Sequence, residues 1–145
     1  MGKQSTKIPN RTRYLFYLNP WLDQAFSKCP KCDGKTKVRK LPLVIHIDPD
    51  QLLVLNLFCR FCPYCELVIA RKDQVEGHMA ETFYARRPDI LGNDYLVIGT
   101  LDRADWLASQ KGNLIEKVAF ERTYIFKDQL DFEPTGGWTL DGKGP

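Results

Sequence analysis

All five cysteines of the 145-residue chain fall in two short stretches, Cys29-Pro30-Lys31-Cys32 and Cys59-Arg60-Phe61-Cys62-Pro63-Tyr64-Cys65. Two thiolates separated by two residues on a tight turn reach one metal ion together. Two such turns supply the four tetrahedral sulfur ligands of a structural Zn²⁺, at about 2.3 Å each. In a reducing compartment paired CxxC spacing reads as metal binding before it reads as disulfides. The second stretch contains two pairs of equal spacing, Cys59/Cys62 and Cys62/Cys65. The latter is preferred because proline follows its first cysteine, as it does Cys29. The expected ligands are therefore Cys29, Cys32, Cys62 and Cys65, with Zn²⁺ as cofactor and iron chemically open on the same ligands. Cys59 is left as an alternative ligand, a buried free thiol or, in the sharpest reading, a reactive thiol beside the metal.

Other constellations that carry chemistry are incomplete. The two histidines are His46 and His78. His46 and Asp48 share one strand face, but a deaminase-type site would need a glutamate two residues after the histidine and a P-C-x-x-C pair. No glycine-rich phosphate loop and no G-x-S-x-G element occurs. An enzyme reading would rest on Cys59 alone, so catalysis is not the expectation.

The formal net charge of +3 conceals an uneven distribution. Residues 1–40 hold ten Lys/Arg against two Asp, and residues 41–145 hold eleven against sixteen acidic residues. A basic front end suits nucleic acid or an acidic protein surface. Arg11, Arg13, Lys37, Arg39 and Lys40 are the candidate nucleic-acid contacts. Lys28, Lys31 and Lys35 flank the first cysteine pair and have a second use, offsetting the net −2 of a zinc tetrathiolate. Apolar runs are too short for a membrane span, and the first residues lack the apolar core of a secretory signal. The expected compartment is cytoplasmic.

The elements that must position these groups follow from the apolar pattern. Residues 1–13 read as a flexible basic arm, 14–132 as a single domain, and the glycine- and proline-rich 133–145, with Trp138, as a disordered tail. Asn19 and Pro20 suit the start of a short amphipathic helix through Phe26, which would deliver the chain to Cys29. Thr36–Lys40 reads as an exposed basic strand and Leu41–Ile47 as a β-branched run, ended by a turn at Asp48-Pro49-Asp50. Gln51–Phe58 leads into the second cysteine stretch and Glu66–Ala70 leaves it, so that stretch is expected at a hairpin tip. Val75, Met79 and Phe83 at i, i+4 and i+8 predict a helix over 72–83, with Gly77 its weak point. Tyr95–Leu101 reads as a strand, Asp102–Ala108 as a short helix capped by Asp102, and Val118–Phe126 as a further alternating strand.

The two CPxC turns resemble the knuckles of zinc-ribbon (rubredoxin-type) proteins, over residues 29–70. The 29 residues between Cys32 and Cys62 leave room for a hairpin or meander. The resemblance implies a structural four-cysteine zinc centre on antiparallel strands. The expected fold is α+β, an antiparallel sheet with a knuckle pair and a few short helices. Zinc ribbons serve in transcription and translation factors, in ribosomal proteins and as inserts in enzymes. The resemblance therefore favours a nucleic-acid-binding or nucleic-acid-associated module, with a protein-interaction or assembly factor as the alternative.

Overall fold

The computed structural model of the chain describes residues 11–112 and 116–132. The expected tail with Trp138, and residues 1–10 of the expected arm, lie outside the described residues. The described strands are β1 (Arg11–Thr12), β2 (Leu15–Asn19), β3 (Lys37–Ile47), β4 (Gln51–Cys62), β5 (Leu67–Arg71), β6 (Tyr95–Thr100), β7 (Tyr124–Ile125) and β8 (Asp128–Leu130). The helices are α1 (Lys72–Phe83), α2 (Arg103–Gln110) and α3 (Glu116–Glu121).

All eight strands join one sheet in the order β1-β7-β6-β3-β4-β5-β2-β8. Its centre is the long β3–β4 hairpin, paired from Lys37↔Phe61 to Ile47↔Gln51. The basic strand and the β-branched run after it are one element, and the turn falls at Asp48–Asp50 as expected. β5 and β6 add antiparallel to its two sides.

The expectation of an antiparallel sheet needs correction, because β1·β7, β2·β5 and β2·β8 are parallel. These pairs also explain the shape. β1 and β2 lie on one chain segment, and β7 and β8 on another. Arg11 pairs with Tyr124 at one end of the sheet and Tyr17 with Leu130 at the other, in one continuous register. Between them the Arg13 N–H donates to Ile125 O, and the Lys127 N–H to Tyr14 O. The sheet thus curls into a half-barrel whose two ends are drawn together by a single parallel ladder.

Side-chain alternation divides the apolar residues into three clusters. The inner face gathers Phe16, Leu41, Leu43, Ile45, Leu55, Leu57, Cys59, Phe61, Val68 and Phe126, with α1 contributing Val75, Met79 and Phe83. Helix α1 has the predicted bounds, and its three-residue apolar stripe explains why it forms despite Gly77. On the outer face Val44, Leu101 and Ala119 pack under α2 and α3. A second outer cluster joins Tyr17, Leu67 and Ile69 to Cys29 and Cys62, with Trp21 and Phe26 against it. Burial on both faces is why β2 and β5 read as continuous apolar runs without alternation.

Three further expectations are corrected. Residues 11–13 are not arm: Arg11 and Thr12 form β1, held by the parallel ladder. Asn19–Phe26 is not a helix. Asn19 ends β2, its Oδ1 accepts from the Trp21 N–H at 2.8 Å, and its amide donates to Gln24 O at 2.9 Å. Such local side-chain bonds offer the backbone an alternative to helix. Val118–Phe126 is not one strand but α3 followed by β7. Ala119, the residue that alternation pointed outward, is the one buried against Val44 and Leu101. An apolar run this short does not choose between periods by itself.

Candidate metal centre

The two CPxC stretches form matching turns. In the first, the Cys29 N–H donates to Gly34 O at 2.7 Å and the Asp33 N–H to Cys29 O at 2.8 Å. Thr36 is buried and its hydroxyl donates to Phe26 O at 2.7 Å, tying the turn to the chain that enters it. In the second, β4 ends at Cys62, β5 begins at Leu67, and the turn lies at the hairpin tip, as expected. Glu66 O accepts from the Leu15 N–H at 2.9 Å, which anchors this turn to β2. Asp33 and Glu66 each follow the second cysteine of their pair, and both have positive φ, 65° and 54°. The tight reversal therefore falls on these two residues and not on Gly34. Gly34 is closely packed instead: a Cβ there would lie 2.8 Å from the ring of the exposed Tyr64, which would have to move, and 3.2 Å from Cys32 Sγ.

The turns bring Cys29, Cys32, Cys62 and Cys65 together, with their four Sγ atoms all within 4.8 Å of one another. Cys32 and Cys62 are 3.5 Å apart, and Cys29 and Cys65 are 4.0 Å apart. A tetrahedron with metal–sulfur bonds of about 2.3 Å has sulfur–sulfur edges of about 3.8 Å, so this spacing suits a single ion. Backbone N–H groups point at the sulfurs: Lys31 at Cys29 (3.3 Å), Gly34 at Cys32 (3.3 Å) and Cys65 at Cys62 (3.4 Å). Donors aimed at sulfur favour the thiolate. Crowding opposes it elsewhere in the set. Burial, then the neighbouring thiols, raise Cys65, and burial raises Cys29, while the Gly34 N–H and the adjacent cysteines lower Cys32. A cation at the centre resolves that conflict, since it favours all four thiolates together. Among the described residues this is the one group of Cys, His, Asp and Glu with ligand atoms in reach of a common ion.

Cys59 is not part of the group. It lies three residues before Cys62 on the same strand, so its side chain faces the opposite side, in the inner cluster. It is buried, its thiol meets only Leu57 O at 3.6 Å, and burial pushes it up to about 12. That is the environment of an inert core thiol. His46 is 3.8 Å from Asp48 at the far end of β3, and His78 is 3.7 Å from Glu81 on α1.

The five candidate basic contacts fall in two places. Arg11, Arg13 and Arg39 sit in a row of alternating guanidinium groups and rings at the rim of the half-barrel. Arg11 lies over Tyr124 at 4.0 Å, and Arg13 lies 5.2 Å from that ring and 4.8 Å from Tyr14. Tyr14 meets Phe61 edge-on at 5.2 Å, and Arg39 lies 4.7 Å over Phe61. Arg11 also donates to Arg122 O, and Arg13 pairs with Asp102 at 3.2 Å. Asp102 heads α2 as expected, but its carboxylate serves Arg13 and the Tyr124 hydroxyl instead of capping the helix. Lys37 is exposed at the start of β3. Lys40 points to the outer face, its Nζ 4.9 Å over Phe58. Phe58, Arg60 and Val38 share that face. They were not singled out from sequence, although the alternation of Phe58 and Arg60 against the buried Cys59 and Phe61 carries the signal.

No helix among the described residues is long and apolar enough to cross a membrane. No family model matches the chain, and no curated protein or solved structure matches it.

Proposed function

We propose that Cys29, Cys32, Cys62 and Cys65 hold one Zn²⁺ as a structural centre, and that the chain is a zinc-stapled, nucleic-acid-associated binding module. The observation that carries the metal reading is the set of four sulfurs within 4.8 Å, from two turns 30 residues apart in sequence. Four protein ligands complete a tetrahedral shell and leave no position for substrate, which is the arrangement of a structural site and not of a catalytic one. Zinc has no redox chemistry and fits a staple between the first turn and the β4–β5 tip. Elemental analysis of the untagged protein tests this reading: one zinc per chain is expected, iron would overturn the metal's identity, and no metal would overturn the centre. The Cys62→Ser variant should lose the ion.

The nucleic-acid part rests on Arg11, held over the Tyr124 ring and on Arg122 O, and Arg39, held over the Phe61 ring, together with Lys37 and Lys40 on the first half of β3; Arg13 is paired with Asp102. Preorganised cations of this kind suit phosphate contacts, which make binding fall steeply with salt. Single-stranded DNA or RNA oligonucleotides titrated at low salt test it. Absence of binding there would dispose of the reading and leave the metal centre untouched.

A further inference from the structure

We infer that the outer face of β3, β4 and β5 is a stacking platform for single-stranded nucleic acid, centred on Phe58. The inference rests on the nucleic-acid reading and gives it a location. The rim offers no fully exposed ring, since Tyr124 is half-buried with Arg11 over it. Tyr14 and Phe61 are buried, and Arg13 is neutralised by Asp102. The outer face differs. Phe58 is 63% exposed and Val38 is 55% exposed, in the middle of a sheet whose other apolar residues are mostly covered. Residues 40 and 58 are direct cross-strand partners, as are 38 and 60. Phe58 thus has Lys40 beside it on one strand and Arg60 two residues along its own. Val38, Phe58, Arg60, Ile69 and Arg71 line one shallow pocket of about 160 Å³.

The charge on the face selects the occupant. No carboxylate lines this pocket, and its Arg71 is paired with Asp73 at 3.3 Å. That leaves Lys40 and Arg60 without a carboxylate partner among the described residues. A second copy of the chain docking by the same face would set these cations against themselves. Single-stranded nucleic acid matches both halves of the pattern: every nucleotide offers a flat ring for Phe58 and an anion for Lys40 or Arg60, without regard to sequence. Lys40 already lies over the Phe58 ring, so a base stacking there need only take the face the lysine leaves or share the ring edge with it.

The test is fluorescence anisotropy of labelled oligo-dT and oligo-U with the full-length, metal-loaded chain, repeated over a series of salt concentrations. Phe58 is solvent-exposed, so Phe58→Ala should fold normally and weaken binding ~5- to 160-fold, the range for loss of one base–aromatic stack. Phe58→Tyr should restore it. Lys40→Gln with Arg60→Gln should reduce the slope of log affinity against log salt by about 1.4, at about 0.7 per phosphate contact on single strands. If the wild type binds and Phe58→Ala binds equally well, the platform is elsewhere and this inference falls while the nucleic-acid reading stands. If the wild type binds no oligonucleotide, that reading falls with it. If polyglutamate binds and displaces the oligonucleotide, and Phe58→Ala weakens both alike, the face takes acidic peptide and the inference is overturned.

Discussion

Cys59 and Cys62 show how three residues of separation decide a role. On a strand, side chains alternate, so the pair cannot face one ion from the same side. Cys62 joins the metal group on the outer face and Cys59 the inner core. Spacing alone left both pairings open; the alternation of the flanking Phe58, Arg60 and Phe61 resolves them once β4 is known to continue to Cys62. Cys59→Ala should therefore keep its metal, whereas Cys62→Ser should not, as read by metal content after desalting. The buried thiol also has a pH signature. Burial moves it from 9.0 to about 12 in the folded chain. The folded state then keeps a proton that the unfolded state releases. That contribution is intact below about pH 9 and declines between about pH 9 and about pH 12, by at most ~1.4 kcal/mol per pH unit. Urea titrations at about pH 8 and about pH 10 should show the wild type losing about 1 kcal/mol more than Cys59→Ala. Parallel losses would contradict the buried assignment.

Among the elements, the helix α1 and the hairpin β3–β4 were readable because their signals are local: three apolar residues at helical spacing, and a β-branched run ended by Asp48-Pro49-Asp50. The parallel ladder between 11–17 and 124–130 was not, because partners more than a hundred residues apart leave no mark in either segment. The same blindness made α3 look like strand. Two glycines separate the cases experimentally. Gly99 of β6 is buried, and a Cβ there would lie 2.1 Å from Tyr124 O, a backbone atom that cannot swing aside. Gly99→Ala must push β7 off β6, where Gly99 pairs with Ile125, and so open the ladder that draws the half-barrel together. A loss of about 3 kcal/mol, the upper end for overpacking, is expected in chemical denaturation. At Gly77 an added Cβ would meet nothing within 4 Å, and the residue has no positive φ. Gly77→Ala should stabilise α1 by about 0.5–1 kcal/mol. Equal effects of the two substitutions would refute this account of what β6 and β7 demand.

At the scale of the whole molecule, the three apolar clusters divide the work unequally. The inner cluster draws on β2 to β6, α1 and Phe126, and of the cysteines contains only Cys59. Three of the four clustered cysteines, Cys29, Cys62 and Cys65, belong to an outer cluster with Tyr17, Leu67 and Ile69, reinforced by Trp21 and Phe26. Tyr17 and Trp21 both donate to Phe132 O, at 2.7 and 3.0 Å, which ties the end of the described chain to that same cluster. A metal ion on these four cysteines would therefore fasten the first CPxC turn to the β4–β5 tip, beside residues 128–132, on a half-barrel that has its own core. Structural zinc contributes ~10–16 kcal/mol in small finger peptides, where the metal is the only nucleus. Here the inner cluster contains none of the four clustered cysteines, so metal removal should produce local and not global unfolding. Hydrogen exchange before and after chelation distinguishes the two. Amides of residues 28–36, 62–67 and 128–132 should lose protection, while those of 41–47 and 52–58 on β3 and β4 keep most of theirs. Uniform loss across the sheet would mean that the metal nucleates the whole fold, and that the inner cluster cannot stand on its own.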